Sequence, residues 1–142
     1  MTITAEGTTT LGYTAIDNAD NAEISKSFVV NIDKTGPVVS GMPGNGCTLA
    51  PPKHQLVQVA TITASDARSG VATLTVTASS NEPDSGLGGG DVPGDIVING
   101  GNVQLRAERS PSGKGRTYTI VATATDVAGN LTTSTATCQV PK

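Results

Sequence analysis

Apolar and polar side chains alternate with a period of two along most of this chain, a spacing that predicts strands rather than helices. Leu11, Tyr13 and Ala15 share one face of a run over Leu11–Asp17. Phe28, Val30 and Ile32 do the same over Ser25–Asp33, and a shorter run over Met1–Ala5 precedes both. Further strands are predicted at Val38–Ser40, Leu56–Ser65, Val71–Ser79, Asp95–Asn99, Val103–Glu108, Arg116–Thr125 and Leu131–Val140. Their expected core-facing sets are Leu74, Val76 and Ala78; Val103, Leu105 and Ala107; and Tyr118, Ile120, Ala122 and Ala124. No segment carries a 3.6-residue period.

Three corners punctuate these runs with nearly the same phrase: an alternating strand, an Asp, a tight polar turn, another strand. They are Tyr13-Thr-Ala-Ile-Asp17-Asn-Ala-Asp-Asn21, Thr61-Ile-Thr-Ala-Ser-Asp66-Ala-Arg-Ser-Gly70 and Thr123-Ala-Thr-Asp126-Val-Ala-Gly-Asn130. Each predicts a hairpin. An Asp at a turn start accepts amide hydrogen bonds from residues just ahead, and Gly or Asn supplies the positive φ. Asp17, Asp66, Asp126 and Asn130 are therefore expected to stabilise turns. The sharper expectation for such an Asp is a Ca²⁺ ligand. Asp17-Asn18-Ala-Asp20-Asn21 is richest in oxygens for that purpose, but it lacks the bidentate acid of an EF-hand-type loop.

The corners also divide the chain. Residues 1–35 hold three predicted strands, too few to bury a core alone, and read as the closing strands of an Ig-like domain whose first half lies upstream. Asp33-Lys-Thr-Gly-Pro37 reads as a short polar linker. Residues 36–142 hold about seven strands at short intervals, the count of a complete Ig-like β-sandwich. The fold class expected is thus all-β: a sandwich preceded by part of another.

Composition narrows the function. Gly numbers 17 and Pro 8, while aromatics are 2% of the residues and Trp is absent. The net charge is −3, and neither basic runs nor stacking rings suited to nucleic acid are present. No apolar stretch approaches the ~20 residues of a transmembrane helix. Cys47 and Cys138 lack metal-type spacing, and their even count favours one disulfide over two buried thiols, hence an extracellular or cell-surface address.

Several phrases carry a resemblance to a known family. Tyr13-Thr-Ala-Ile-Asp17, Asn21-Ala-Glu23-Ile-Ser-Lys-Ser and Ile32-Asp33-Lys34-Thr35-Gly-Pro37 resemble the closing hairpin and linker of bacterial Ig-like repeats. Leu49-Ala-Pro51-Pro52-Lys53-His54-Gln-Leu56-Val57, Ser80-Asn81-Glu82-Pro83, Gln104-Leu105-Arg106-Ala107-Glu108-Arg109 and Thr123-Ala-Thr-Asp126-Val-Ala-Gly129-Asn130 resemble Ig-like modules of secreted multidomain bacterial proteins. The family often has an aromatic before the double Pro, where this chain has Ala50. The resemblance implies a spacer or surface-display unit beside enzymes or adhesins.

Candidate chemistry is sparse. The loop Asn81–Gly94 and the residue after it carry Glu82, Asp84, Asp91 and Asp95 among several glycines, and four carboxylates there are the best candidate Ca²⁺ ligands; a solvated insertion is the alternative. Arg106 is expected to pair with Glu82 or Asp95 across strands. His54 is the single His and supports no triad. Lys26 or Lys34 with an acid and an Asn would suit an isopeptide crosslink, but no aromatic cage accompanies them. The expected function is non-catalytic: a spacer, display or adhesion module with neighbouring Ig-like domains as partners. Its N-terminal hairpin would add to strands of another chain, giving a head-to-tail homopolymer. The alternative is a Ca²⁺-dependent or carbohydrate-binding module attached to a secreted enzyme.

Overall fold

The computed structural model describes residues 2–49, 54–88 and 90–142. Eleven strands and no helix occur among them: β1 (Gly7–Tyr13), β2 (Lys26–Ile32), β3 (Val38–Ser40), β4 (Cys47–Thr48), β5 (Leu56–Thr61), β6 (Thr63–Ser65), β7 (Val71–Ser80), β8 (Ile96–Asn99), β9 (Asn102–Arg106), β10 (Arg116–Asp126) and β11 (Leu131–Val140). The chain divides into two compact units, Met1–Thr35 and Gly36–Lys142.

The first unit is a two-stranded antiparallel sheet in which Leu11 faces Phe28 and Thr9 faces Val30. The strand expected at Met1–Ala5 does not form over Thr2–Ala5, and Met1 lies outside the described residues. Side-chain hydrogen bonds hold this stretch instead. Lys34 Nζ donates to Thr4 O at 2.6 Å, and Glu6 Oε1 accepts from the Thr35 hydroxyl at 2.7 Å.

The second unit is a β-sandwich. One sheet has the order β4-β11-β10-β7; facing it are β5-β9-β8 and the short pair β3-β6. Side chains from both layers meet in one core, with Ala60, Val103 and Leu105 on one side and Tyr118, Ile120, Ala122 and Cys138 on the other. β10 lies between β7 and β11, and its even-numbered residues from Arg116 to Asp126 are all buried. The predicted core sets on β9 and β10 are buried, while Leu74, Val76 and Ala78 pack against them half-buried.

The Asp66 corner departs from expectation. Leu56–Ser65 is broken at Ile62 into β5 and β6, and neither pairs with β7; β5 joins β9, β6 joins β3, and β7 joins β10 in the opposite sheet. The break lies where two glycines approach the backbone: a Cβ on Gly41 or Gly101 would collide with Thr61 or Ile62. All three corners share one device, an Asp Oδ1 that accepts the amide four residues on, at 2.9 Å for Asp17, 2.8 Å for Asp66 and 2.7 Å for Asp126. The hairpin corners add two bonds. The Asp amide donates to the carbonyl of Asn21 or Asn130, at 3.0 and 3.1 Å, and that Asn returns its side-chain amide to Asp Oδ2 at 2.8 Å. At the middle corner Gly70 has no side chain to return, and its carbonyl accepts from Val127 N at 3.0 Å. The chain therefore crosses between sheets there instead of turning back in one.

Cys47 and Cys138 form a disulfide, directly opposite each other where β4 runs parallel to β11. Two residues make a weak strand, and the covalent bond secures it together with Leu49 N donating to Gln139 O at 2.7 Å. The bond spans 91 positions. Chain-entropy arguments for a loop of that length give about 4–5 kcal/mol. Replacing both cysteines by Ala is expected to lower unfolding stability by about 3–5 kcal/mol in urea titrations.

Candidate functional site

Arg116 opens β10 at a position whose alternation points into the core, and its side chain is fully buried. A charge placed there needs partners on every nitrogen. Nη1 pairs with Asp95 Oδ2 and also donates to Tyr118 Oη at 3.0 Å. Nη2 donates to Pro83 O at 2.8 Å, and Nε to Glu82 Oε2 at 3.3 Å. Burial opposes the guanidinium charge, but Tyr118 and Asp95 outweigh it and hold its pKa above the ordinary arginine value. Burial pushes the Tyr118 hydroxyl up to about 12, so it stays protonated and donates to Arg106 O at 2.9 Å.

The loop after β7 is folded back onto this charge. Ser80 Oγ accepts from Glu82 N at 3.1 Å. Asn81 prolongs the β7–β10 ladder, donating to Thr117 O at 3.1 Å and accepting from Thr117 N at 2.7 Å. Glu82 Oε2 also accepts from Ser110 N at 2.7 Å. Asp84 accepts from Asp95 N at 2.7 Å and Gly94 N at 3.0 Å, and these amides hold its carboxyl below the usual range. Arg106 clamps the far end, donating to Pro93 O at 3.2 Å, Gly94 O at 3.1 Å and His54 O at 2.9 Å. Its Nε lies 3.5 Å from Asp95 Oδ1. Glu108, 1% exposed, meets His54 Nδ1 at 2.8 Å.

Two of the motifs that carried the resemblance thus meet in one buried polar cluster, to which Ser80–Pro83, Arg106 and Glu108 contribute, while Thr123–Asn130 lies at the other end of β10. Ala50, Pro51, Pro52 and Lys53 lie outside the described residues. The expected pairing of Arg106 is with Asp95; Glu82 belongs to Arg116. Sequence reasoning passed over Arg116 itself, although a lone arginine in phase with Tyr118, Ile120 and Ala122 was a legible signal.

The four candidate Ca²⁺ ligands are engaged by other groups of the chain. Glu82 and Asp95 meet Arg116, Asp84 holds backbone amides, and Asp91 Oδ2 accepts from Leu87 N at 3.0 Å. Their donor oxygens do not converge into a metal-ligand group among the described residues. At the opposite end of β10 the carboxylate oxygens of Asp66 and Asp126 come within 4.8 Å of each other while serving their own turns. Among the described residues no helix is long and apolar enough to cross a membrane. No protein-family model and no curated protein matches the chain.

Two expectations follow for this cluster. Arg116→Ala takes the close counter-ion from buried Asp95 and leaves Glu82 only its backbone partner, and should lower stability by about 3–5 kcal/mol in chemical denaturation; a loss under about 1 kcal/mol would show that the ion pairs are dispensable. Because Asp84 is already engaged by two amides, millimolar Ca²⁺ at neutral pH should leave the Gly94 and Asp95 amide resonances in place; saturable shifts of both would put a cation on Asp84.

Proposed function

We propose that this chain is a non-catalytic Ig-like module of a bacterial extracellular protein, acting as a spacer, display or adhesion element. In this reading its β1–β2 hairpin adds to strands of a neighbouring chain. The observation that carries it is internal to the molecule: β1–β2 repeats β10–β11, and only one of the two is covered.

The corners Asp17–Asn21 and Asp126–Asn130 share four hydrogen bonds, and also the positive φ of Asp20 at 64° and of Gly129 at 92°. Counting back from each Asp, Leu11 and Tyr13 stand where β10 has Ile120 and Ala122. The cross-strand partners then correspond as well. Leu11 faces Phe28 as Ile120 faces Ala136, and Thr9 faces Val30 as Tyr118 faces Cys138. The first hairpin contains one extra residue: three positions separate Tyr13 from Ile16, and four separate Ala22 from Lys26.

In the sandwich this face is buried, with Ile120 and Ala122 at 0% exposure; in the hairpin Tyr13 is 49% and Phe28 48% exposed. Their rings, 6.3 Å apart, form an aromatic pair on a two-stranded sheet. Such a sheet is marginal alone, and its strand edges present unpaired amides and carbonyls to any compatible strand. Strand addition answers both needs through main-chain hydrogen bonds and alternate side chains. Against a binding or catalytic reading, the buried charges Arg116, Asp95 and Glu108 are engaged within the sandwich. The disulfide supports the extracellular assignment.

Light scattering over the micromolar to millimolar range tests the assembly. The wild-type chain should self-associate with rising concentration, and Leu11→Lys with Phe28→Lys should remain monomeric, since inward-facing charge blocks edge pairing. A wild-type chain that stays monomeric throughout would overturn strand addition.

A further inference from the structure

Asp91 Oδ1 is buried without a hydrogen-bond partner, and the amide of the next residue, Val92, lies 3.5 Å from Glu108 Oε1, which brings the two carboxyl groups together. Two ionised carboxylates have only acceptors to offer, so such a contact requires a proton between them. Asp91 Oδ2 is already taken by Leu87 N. Glu108 Oε2 meets His54 Nδ1 at 2.8 Å, and Oε1 has only a long contact, 3.5 Å, from Val92 N.

We propose that a proton carried by Glu108 and donated to Asp91 is a latch, closed in acid, that fastens the glycine-rich loop of residues 81–95 to the sandwich. With it in place every atom has a partner. Glu108 donates to Asp91 Oδ1, and the His54 Nδ1–H donates to Glu108 Oε2. Asp91 meanwhile holds the Leu87 amide. When the proton leaves to water, two carboxylates face each other and the loop loses this anchor, while those from Arg116, Arg106 and Asp84 remain.

The surroundings agree. Burial pushes the Glu108 carboxyl up, the His54 hydrogen bond opposes this, and Asp91 and Asp95 push it further up. The Leu87 amide, then Glu108, holds Asp91 below the usual range. From β10, the Arg116 charge acts on Asp91, and Tyr118 feels the charge of Glu108. Arg106, at the end of β9, is engaged with Pro93 O, Gly94 O and His54 O, and Arg109 Nε donates to Pro141 O at 2.8 Å. The signs follow. A raised Glu108 stabilises the fold below its unfolded value and loses that contribution as pH rises through its folded pKa. A lowered Asp91 stabilises it above the ordinary aspartate value and loses this as pH falls through its own folded pKa. The latch is therefore firmest between the two.

Gly86, Gly88, Gly90 and Gly94 all have positive φ, so the segment relies on such anchors rather than on its own backbone preferences. The latch lies wholly within the second unit and stands independently of strand addition by the first.

Carboxyl ¹³C titration combined with amide hydrogen exchange, corrected for intrinsic rates, tests it. Glu108 should titrate above the ordinary glutamate range, and protection of Leu87 and Val92 should fall roughly tenfold or more across that titration, the equivalent of one unit of displacement. Glu108→Gln can donate to Asp91 without titrating and should make that protection independent of pH. Asp91→Asn, which donates to an ionised Glu108, should do the same and serves if the first variant fails to fold. In His54→Gln the dependence should persist with its midpoint displaced upward, which assigns it to Glu108. An ordinary or lowered Glu108 titration, or equal protection on both sides of it, would overturn the latch.

Discussion

A guanidinium inside a β-sandwich must find partners on all its nitrogens, and Arg116 finds them in a loop rather than in the sheets. Taking an ion out of water costs several kcal/mol after relaxation, and only close, well-directed partners offset that. Asp95, Glu82, Pro83 O and the Tyr118 hydroxyl supply them. Three of these four come from residues 82–95, so the same charge that is costly to bury orders that segment. Arg106 and Asp84 complete the task by binding its backbone at Pro93, Gly94 and Asp95. The resulting polar cluster leaves the apolar core to small aliphatics around a single aromatic, Tyr118.

Turn chemistry sets the topology around that core. One Asp device serves three corners, but a side chain four residues later decides what the corner does. Where Asn stands, reciprocal bonds close a hairpin; where Gly stands, the carbonyl is free to bind Val127 and the chain crosses to the other layer. The disulfide then ties the short strand β4 to β11, a parallel pairing that two residues of ladder alone would hold weakly.

Both hairpins built by the Asp–Asn corner present the same face in the same register, and only the one in the sandwich has it covered. A module that carries a finished sandwich and an unfinished sheet is suited to chain-to-chain assembly, and its buried charges are committed to architecture. The structural role proposed for it rests on that contrast.

Period-two alternation made β3, the strands from β7 onward, the β10–β11 hairpin and the β9 and β10 core faces legible, because those are local consequences of backbone geometry. Cysteine parity pointed to the disulfide for a similarly simple reason. What the sequence alone did not decide were the partners across the sandwich. Leu56–Ser65 and Val71–Ser79 read as one hairpin because strand propensity carries no information about which sheet a strand joins. The acidic loop read as a metal site because carboxylates announce their charge but not their counterions, and Arg116, Ser110 N and Asp95 N are brought to them from distant positions. Local pattern determined the elements, their faces and the corner at Asp126. The tertiary structure decided that the Asp66 corner is a crossing and that the acids are ion-paired, since both depend on contacts between residues far apart in the chain.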